Sequence, residues 1–287
     1  MLPILLNGPL RILCVAALFL YGCTAGAVTD RTSLADHISR DGGLEKSYLK
    51  TSSFTLTVYS RASRPGGTLN LYIEGDGLAW ITPAWRSLDP SPRNPLGLEM
   101  AALDPAANVA YLARPGQYTA PDSSSVDPAY WSDKRFAPEV ITAMNEAIDS
   151  LKARTGASKI NLVGYSGGAA TAVLITTRRS DIISLRTVAG NLDPEAVNRY
   201  HHVSPLTGSL NPIDEADKLK GLPQRHFVGS EDAVIPSFIA PSFVKRAGSP
   251  DGLEITVVKG ASHSKGWREQ WKLLLEVPLR SPGTRSR

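Results

Sequence analysis

Residues Lys159–Ala170 read KINLVGYSGGAA, and their reading decides the fold. Lys159–Val163 is a short, mostly apolar run of the kind buried on both faces of a parallel sheet. Gly164-Tyr165-Ser166-Gly167-Gly168 follows at once, and Ala169–Ile175 continues as the first turns of a buried helix. Strand, tight turn and helix form the context in which G-x-S-x-G carries a serine on a strained turn. Gly164 and Gly168 let strand and helix approach closely. Gly167 presents its backbone N–H beside the Ser166 hydroxyl, where an oxyanion would form, and the helix N-terminus adds positive potential there. Ser166 is therefore a candidate nucleophile. The plainer reading is a Gly-rich turn with an incidental serine; the strand before and the helix after weigh against it.

Outward from this stretch, strand-like and helix-like segments alternate. Phe54–Tyr59 reads as an edge strand, and Thr68–Ile73 as a strand running into Glu74-Gly75-Asp76-Gly77. Trp80 and Trp85 follow closely, as candidate pocket walls or core residues. Asn108–Leu112 is the next strand and ends in Arg114-Pro115-Gly116-Gln117-Tyr118, a polar cluster at a strand terminus, where open parallel sheets place their sites. Pro138–Lys152 repeats its apolar residues with helical period. Asp181–Val188, Arg225–Val228 and Glu254–Val258 complete the strands, and Trp267–Leu275 reads as a closing helix. Alternating strands and helices imply an α/β fold: a mostly parallel central sheet with helices on both faces.

A serine hydroxyl attacks only when a base takes its proton, and the base needs an acid to hold its tautomer. Asp232 and His263 each lie just after a strand on the carboxyl edge, and Ser166, Asp232, His263 is one of the chain orders that such triads take. Asp193, after Asp181–Val188, is an alternative acid. His201 and His202 are alternative bases. His37 and His226 read as structural. No spaced His, Asp or Glu set resembles a metal site, and no Gly-rich phosphate loop precedes a lysine, so neither metal nor cofactor is expected.

These residues carry a family resemblance. From about Phe54 to Leu275 the chain resembles the α/β-hydrolase superfamily. More narrowly it is similar to a bacterial lipoprotein branch marked by Glu74–Gly77, Arg114-Pro115-x-Gln117-Tyr118, Gly164–Gly168 and Asn191-Leu192-Asp193. The resemblance implies that the loop at Glu74–Gly77 supplies the second oxyanion donor, the N–H of Asp76, beside that of Gly167. It also implies a small cap over Pro194–Lys220, between the sixth and seventh strands. Two carboxylates next to an oxyanion would oppose its charge. A salt bridge between Glu74 and Arg114 is expected to cancel one of them; the alternative is an Arg114 free to bind an acidic substrate group.

The chain has 287 residues, enough for one large domain, and its net charge of +4 is modest. No basic stripe with interleaved aromatics suggests nucleic acid as a partner. Both cysteines, Cys14 and Cys23, are N-terminal. Ile12–Leu20 is short enough for a signal-peptide core, and Leu20-Tyr21-Gly22-Cys23 resembles a bacterial lipobox. That resemblance implies a signal peptide over 1–22, cleavage before Cys23, its lipidation, and a place on the periplasmic side of the outer membrane. An ordinary secretory signal and an uncleaved anchor helix are the alternatives. A polar tether over 23–50, a catalytic domain over 51–278 and a basic tail over 279–287 complete the expected organisation.

The function expected is that of a serine hydrolase of esters, thioesters or amides, working on a small or lipid-like acyl substrate through an acyl-enzyme. An acyltransferase would use the same residues. The alternative class is a catalytically silent lipoprotein of the same fold that acts in envelope binding or assembly.

Overall fold

The computed structural model describes residues 31–120 and 125–280. The signal peptide, Cys23 and the last seven residues of the basic tail lie outside the described residues.

An eight-stranded sheet runs through the molecule in the order β1-β2-β6-β3-β7-β8-β9-β10. Its strands are β1 (Glu45–Lys50), β2 (Thr55–Ala62), β3 (Leu69–Ile73), β6 (Asn108–Leu112), β7 (Ile160–Tyr165), β8 (Ile182–Val188), β9 (Gln224–Gly229) and β10 (Leu253–Val258). The pairs from β6 to β10 are parallel, whereas β2 runs antiparallel to both β1 and β6. A separate hairpin of β4 (Trp80–Thr82) and β5 (Trp85–Arg86) sits in the long connection after β3.

The strand sequences alternate because each face of the sheet meets its own helices. In β3 and β6, Leu69, Leu71, Ile73, Ala110 and Leu112 face one core. Helices α3 (Pro138–Thr155), α4 (Gly167–Thr176) and α6 (Ile239–Arg246) contribute to that core. Tyr72, Val109 and Tyr111 face the other, with a helix over 31–41 (α1), α2 (Leu96–Leu103) and α7 (Trp271–Glu276). The helical period of α3 buries Val140, Ile141, Met144, Ile148 and Leu151, and the helix ends at Gly156 in the left-handed conformation. Every residue of α4 is buried: its sequence is apolar or small but for Thr171 and Thr176, whose hydroxyls donate to the Gly167 and Ala172 carbonyls within the helix. Strand β7 and α4 meet tightly: a Cβ on Gly164 would lie 2.5 Å from the Gly168 carbonyl oxygen. Among the described residues no helix is long and apolar enough to cross a membrane.

Two expectations are corrected. The stretch read as tether is folded from residue 31 onward. Helix α1 buries Ala35, and Asp36 accepts a hydrogen bond from the Tyr59 hydroxyl at 2.7 Å. Strand β1 then pairs with β2, so Phe54–Tyr59 is not an edge strand. The Pro194–Lys220 insertion forms α5 (Pro194–Tyr200) and a 3-10 helix over Pro212–Leu219, whose Ala216 and Leu219 join the core beside α4. It contributes no residue to the walls of the cleft at Ser166.

Candidate active site

Ser166 follows β7 directly and has φ 51° and ψ −119°, a conformation in which L-residues are rarely found. The neighbouring strand end holds it there. Its N–H donates to the Val188 carbonyl at 2.9 Å, and its carbonyl accepts the N–H groups of Ala169 and Asn191, each at 3.0 Å. Asn191 of the Asn191-Leu192-Asp193 motif thus fixes the turn.

His263 lies in the loop after β10, and Asp232 in the loop after β9. The two loops are tied by Glu231 N–H donating to the Ala261 carbonyl at 2.9 Å. The buried indole of Trp267 donates to the carbonyls of Ser262 and His263, at 2.7 and 3.2 Å. Ser166 Oγ lies 3.0 Å from His263 Nε2, and His263 Nδ1 lies 3.0 Å from Asp232 Oδ2. An ionised carboxylate only accepts, so Nδ1 carries the proton and Nε2 offers its lone pair to the serine hydroxyl. The amides of Val234 and Ile235 donate to Asp232 Oδ1 at 2.8 and 2.9 Å. Burial alone would raise the Asp232 pKa. The hydrogen bond and charge of His263 and the two amides outweigh it and hold the carboxyl below its ordinary value.

The alternative acid and bases stand elsewhere. Asp193 caps α5, accepting from the Ala196 amide at 3.0 Å and from Asn211 at 3.1 Å. His201 Nε2 lies 2.7 Å from the Val234 carbonyl, and His202 is exposed. His226 is buried and bonded to Thr187, and burial lowers its pKa to about 4.

The loop after β3 abuts the serine. A Cβ on Gly75 would lie 3.2 Å from that of Ser166. Among the described residues, neither the Asp76 N–H nor the Gly167 N–H donates a hydrogen bond, which leaves both available at this edge.

The two carboxylates of this loop are neutralised differently from expectation. Glu74 does not pair with Arg114. Its side chain is buried, and Oε1 accepts the amides of Gly75 at 2.9 Å and Gly97 at 3.3 Å. Glu74 therefore caps α2, whose own N-cap residue, Pro95, has no side chain to do so. Burial raises the Glu74 pKa to about 7, against the lowering effect of those amides and of the Tyr111 hydroxyl. Asp76 is the acid that meets Arg114. Its Oδ1 lies 3.5 Å from Arg114 Nη1, and its Oδ2 lies 2.8 Å from Arg135 Nη1. Arg114 also donates to the Arg135 carbonyl and lies over the Phe136 ring. Burial lowers its pKa to about 10, so it stays charged at neutral pH. Gln117 locks the arrangement, accepting from the Arg114 amide at 2.9 Å and donating to the Gly75 carbonyl at 3.0 Å.

A cleft of about 410 Å³ opens at Ser166 and His263. Leu78, Ala79, Trp80 and Val234 give it apolar wall, and Arg93 and Arg135 give it positive charge. Trp80 is thus a wall residue, whereas Trp85 points to solvent. Arg135 and Arg93 were not legible as site residues: both sit in irregular loops without a motif. Among the described residues no group of His, Cys, Asp or Glu is placed to hold a metal ion.

No family model matches the chain. No curated protein is similar to it. Solved structures are, and they are α/β hydrolases. An esterase of Pyrococcus furiosus is 14% identical, with a TM-score of 0.57 over 82% of this chain and 92% of that one. An α/β serine hydrolase homologue from Coxiella burnetii is 18% identical, with a TM-score of 0.53 over 80% of this chain and 95% of that one. The acylaminoacyl peptidase of Pyrococcus horikoshii is 15% identical, with a TM-score of 0.59 over 85% of this chain but 42% of the peptidase. The shared fold is the α/β-hydrolase fold.

Proposed function

We propose that the chain is a serine hydrolase of carboxylic esters. The observation that carries this reading is the unbroken relay from Ser166 Oγ through His263 to Asp232, at 3.0 Å per step. In the reaction, His263 Nε2 takes the Ser166 proton as Oγ attacks the ester carbonyl. The N–H groups of Gly167 and Asp76 receive the oxyanion. His263 then returns the proton to the departing alcohol, leaving an acyl-enzyme. A water molecule attacks this acyl group by the same route, so the products are one acid and one alcohol.

The esterase and the peptidase among the similar structures share acyl-group chemistry, which supports hydrolysis of an acyl bond. The choice of an ester over a peptide with a free amine rests on the charge of the cleft. Both carboxylates in its wall are engaged, Glu74 at α2 and Asp76 with two arginines, so neither is free to pair with a peptide amine. The strip Leu78–Trp80 suits an apolar acyl group. We further propose that Cys23 is lipidated after cleavage of 1–22, which anchors the enzyme on the periplasmic side of the outer membrane.

Labelling by a fluorophosphonate tests the reading. Ser166 is expected to be the single modified residue, and Ser166→Ala to abolish labelling. Labelling that survives in Ser166→Ala would overturn the assignment. The anchor is tested by intact mass: the protein from the membrane fraction should begin at Cys23 and carry acyl groups.

A further inference from the structure

We propose that the rim of the cleft docks on an anionic phospholipid bilayer, with the β4–β5 hairpin as its inserted edge. Of the thirteen large apolar side chains exposed among the described residues, eight lie in the three connections that leave the carboxyl ends of β3, β8 and β9. On one bank are Trp80, Ile81, Trp85 and Leu88. Trp85 is 72% exposed and Leu88 is 91% exposed, which is costly in water without a partner surface. On the other bank are Tyr200, Val203, Val234 and Phe238, with the rings of Tyr200 and Phe238 at 5.9 Å. Trp80 and Val234 line the same cleft, so the two banks flank one opening.

Three observations select a membrane as the occupant. First, two tryptophans on a short hairpin combine an apolar body with a polar N–H, the chemistry favoured at the boundary of headgroups and acyl chains. Second, residues 78–95 carry Arg86 and Arg93 against the single acid Asp89. Arg31 offsets that acid at 3.3 Å and Arg86 pairs with Asp133 at 4.0 Å, so among the described residues Arg93 is the cation of this edge left without an acid and open to anionic headgroups.

The third observation is where the chain enters. Arg31 donates to the carbonyls of Asp89 and Ser91 at 3.2 and 2.8 Å, beside Leu88. Cys23 stands eight residues earlier, a reach of at most about 28 Å. A lipid on Cys23 would therefore hold this edge, rather than the opposite one, against the bilayer. The anchor gives residence and the hairpin gives orientation, so the cleft opens onto the lipid surface. This third argument rests on the acylation proposed above; the first two do not.

The test uses full-length protein from the membrane fraction, reconstituted in vesicles of phosphatidylethanolamine and phosphatidylglycerol with brominated acyl chains. Trp131, Trp267 and Trp271 are buried, so bromine quenching reports Trp80 and Trp85. We expect strong quenching, with a large part of it lost in Trp85→Phe. A second readout uses Trp85→Ser combined with Leu88→Ser. Turnover of an ester embedded in the vesicles should fall at least about tenfold, the equivalent of about 1.4 kcal/mol. Turnover of a short water-soluble ester should not change. Leu273→Ser, on the exposed face of α7, should alter neither. Absence of quenching in protein whose Cys23 is acylated overturns the docking and leaves the anchor standing. Quenching in protein with unmodified Cys23 supports the docking and removes the anchor. Shielding of Trp85 from iodide in a vesicle-free dimer would assign the surface to a second copy and overturn the proposal.

Discussion

The carboxylate of Asp76 stands where a side chain on Gly167 would begin. A Cβ built on Gly167 would lie 2.0 Å from Asp76 Oδ1 and 2.4 Å from its Cγ. The glycine after the serine is thus required by a residue on a different strand end. Gly167→Ala must push Asp76 off Arg114 and Arg135 and move one oxyanion donor. We expect turnover to fall at least tenfold, with a stability loss of about 1–3 kcal/mol. Adding Asp76→Ala removes the clash but leaves the buried Arg114 without its acid, so it should recover little of either stability or turnover. Denaturant melts and steady-state kinetics on the single and double variants check both.

The two candidate acids separate cleanly. Asp232→Asn should lower turnover by about 10⁴, because the amide favours the wrong His263 tautomer. Asp193→Asn leaves an N-cap acceptor in place and should change turnover little. Comparable losses in the two variants would contradict the relay.

Glu74 gives stability a pH dependence whose sign is set by burial. Its folded pKa of about 7 lies above its ordinary 4.5. The folded state therefore holds the proton more tightly than the unfolded chain. The stabilisation is complete below about pH 4.5 and is lost as pH rises through about 7, an effect on the order of 3 kcal/mol. Glu74→Gln should flatten the stability profile across that window. A wild-type profile parallel to that of Glu74→Gln would show that Glu74 does not titrate there.

Arg114 and Arg135 share Asp76 but differ in exposure to the cleft. Arg114 is buried, so Arg114→Met removes one of the two cations that hold Asp76 and the donor to the Arg135 carbonyl, and should depress turnover on neutral and acidic esters alike. Arg135 lines the cleft, and Arg135→Met should penalise acidic esters more, chiefly through KM. Kinetics on a matched pair of neutral and acidic esters distinguish them.

The features read correctly from sequence are those written in contiguous residues. The turn at Ser166 is strand, turn and helix in one run, and Asp232 and His263 each follow a strand end. Helix α1 was missed because it buries only a narrow stripe around Ala35, Ile38 and Ser39 beneath an otherwise polar sequence. Strand β1 was missed for the same reason: Leu49 is its only buried residue. The pairing of Arg114 was misassigned because Glu74 and Asp76 are two residues apart on an irregular loop. Which of them turns inward depends on Gly97, the start of a helix more than twenty residues away. No local pattern encodes that choice.

The relay and most of the wall of the cleft come from separate pieces of chain. Ser166, Asp232 and His263 follow β7, β9 and β10, whereas most of the wall belongs to the one connection between β3 and α2. That connection is fastened at its ends by Glu74 and Gly97, and in its middle the Ser91 hydroxyl accepts the Tyr118 amide at 2.7 Å and the Ser87 carbonyl accepts the Trp131 indole N–H at 3.0 Å. Between these ties, residues 80–86 of the β4–β5 hairpin are exposed and bond to none of Ser166, Asp232 and His263. On the proposed reading, substrate range in this scaffold is modular: exchanging the exposed hairpin 80–86 for a different loop would retune what the cleft accepts while Ser166, Asp232 and His263 are inherited intact.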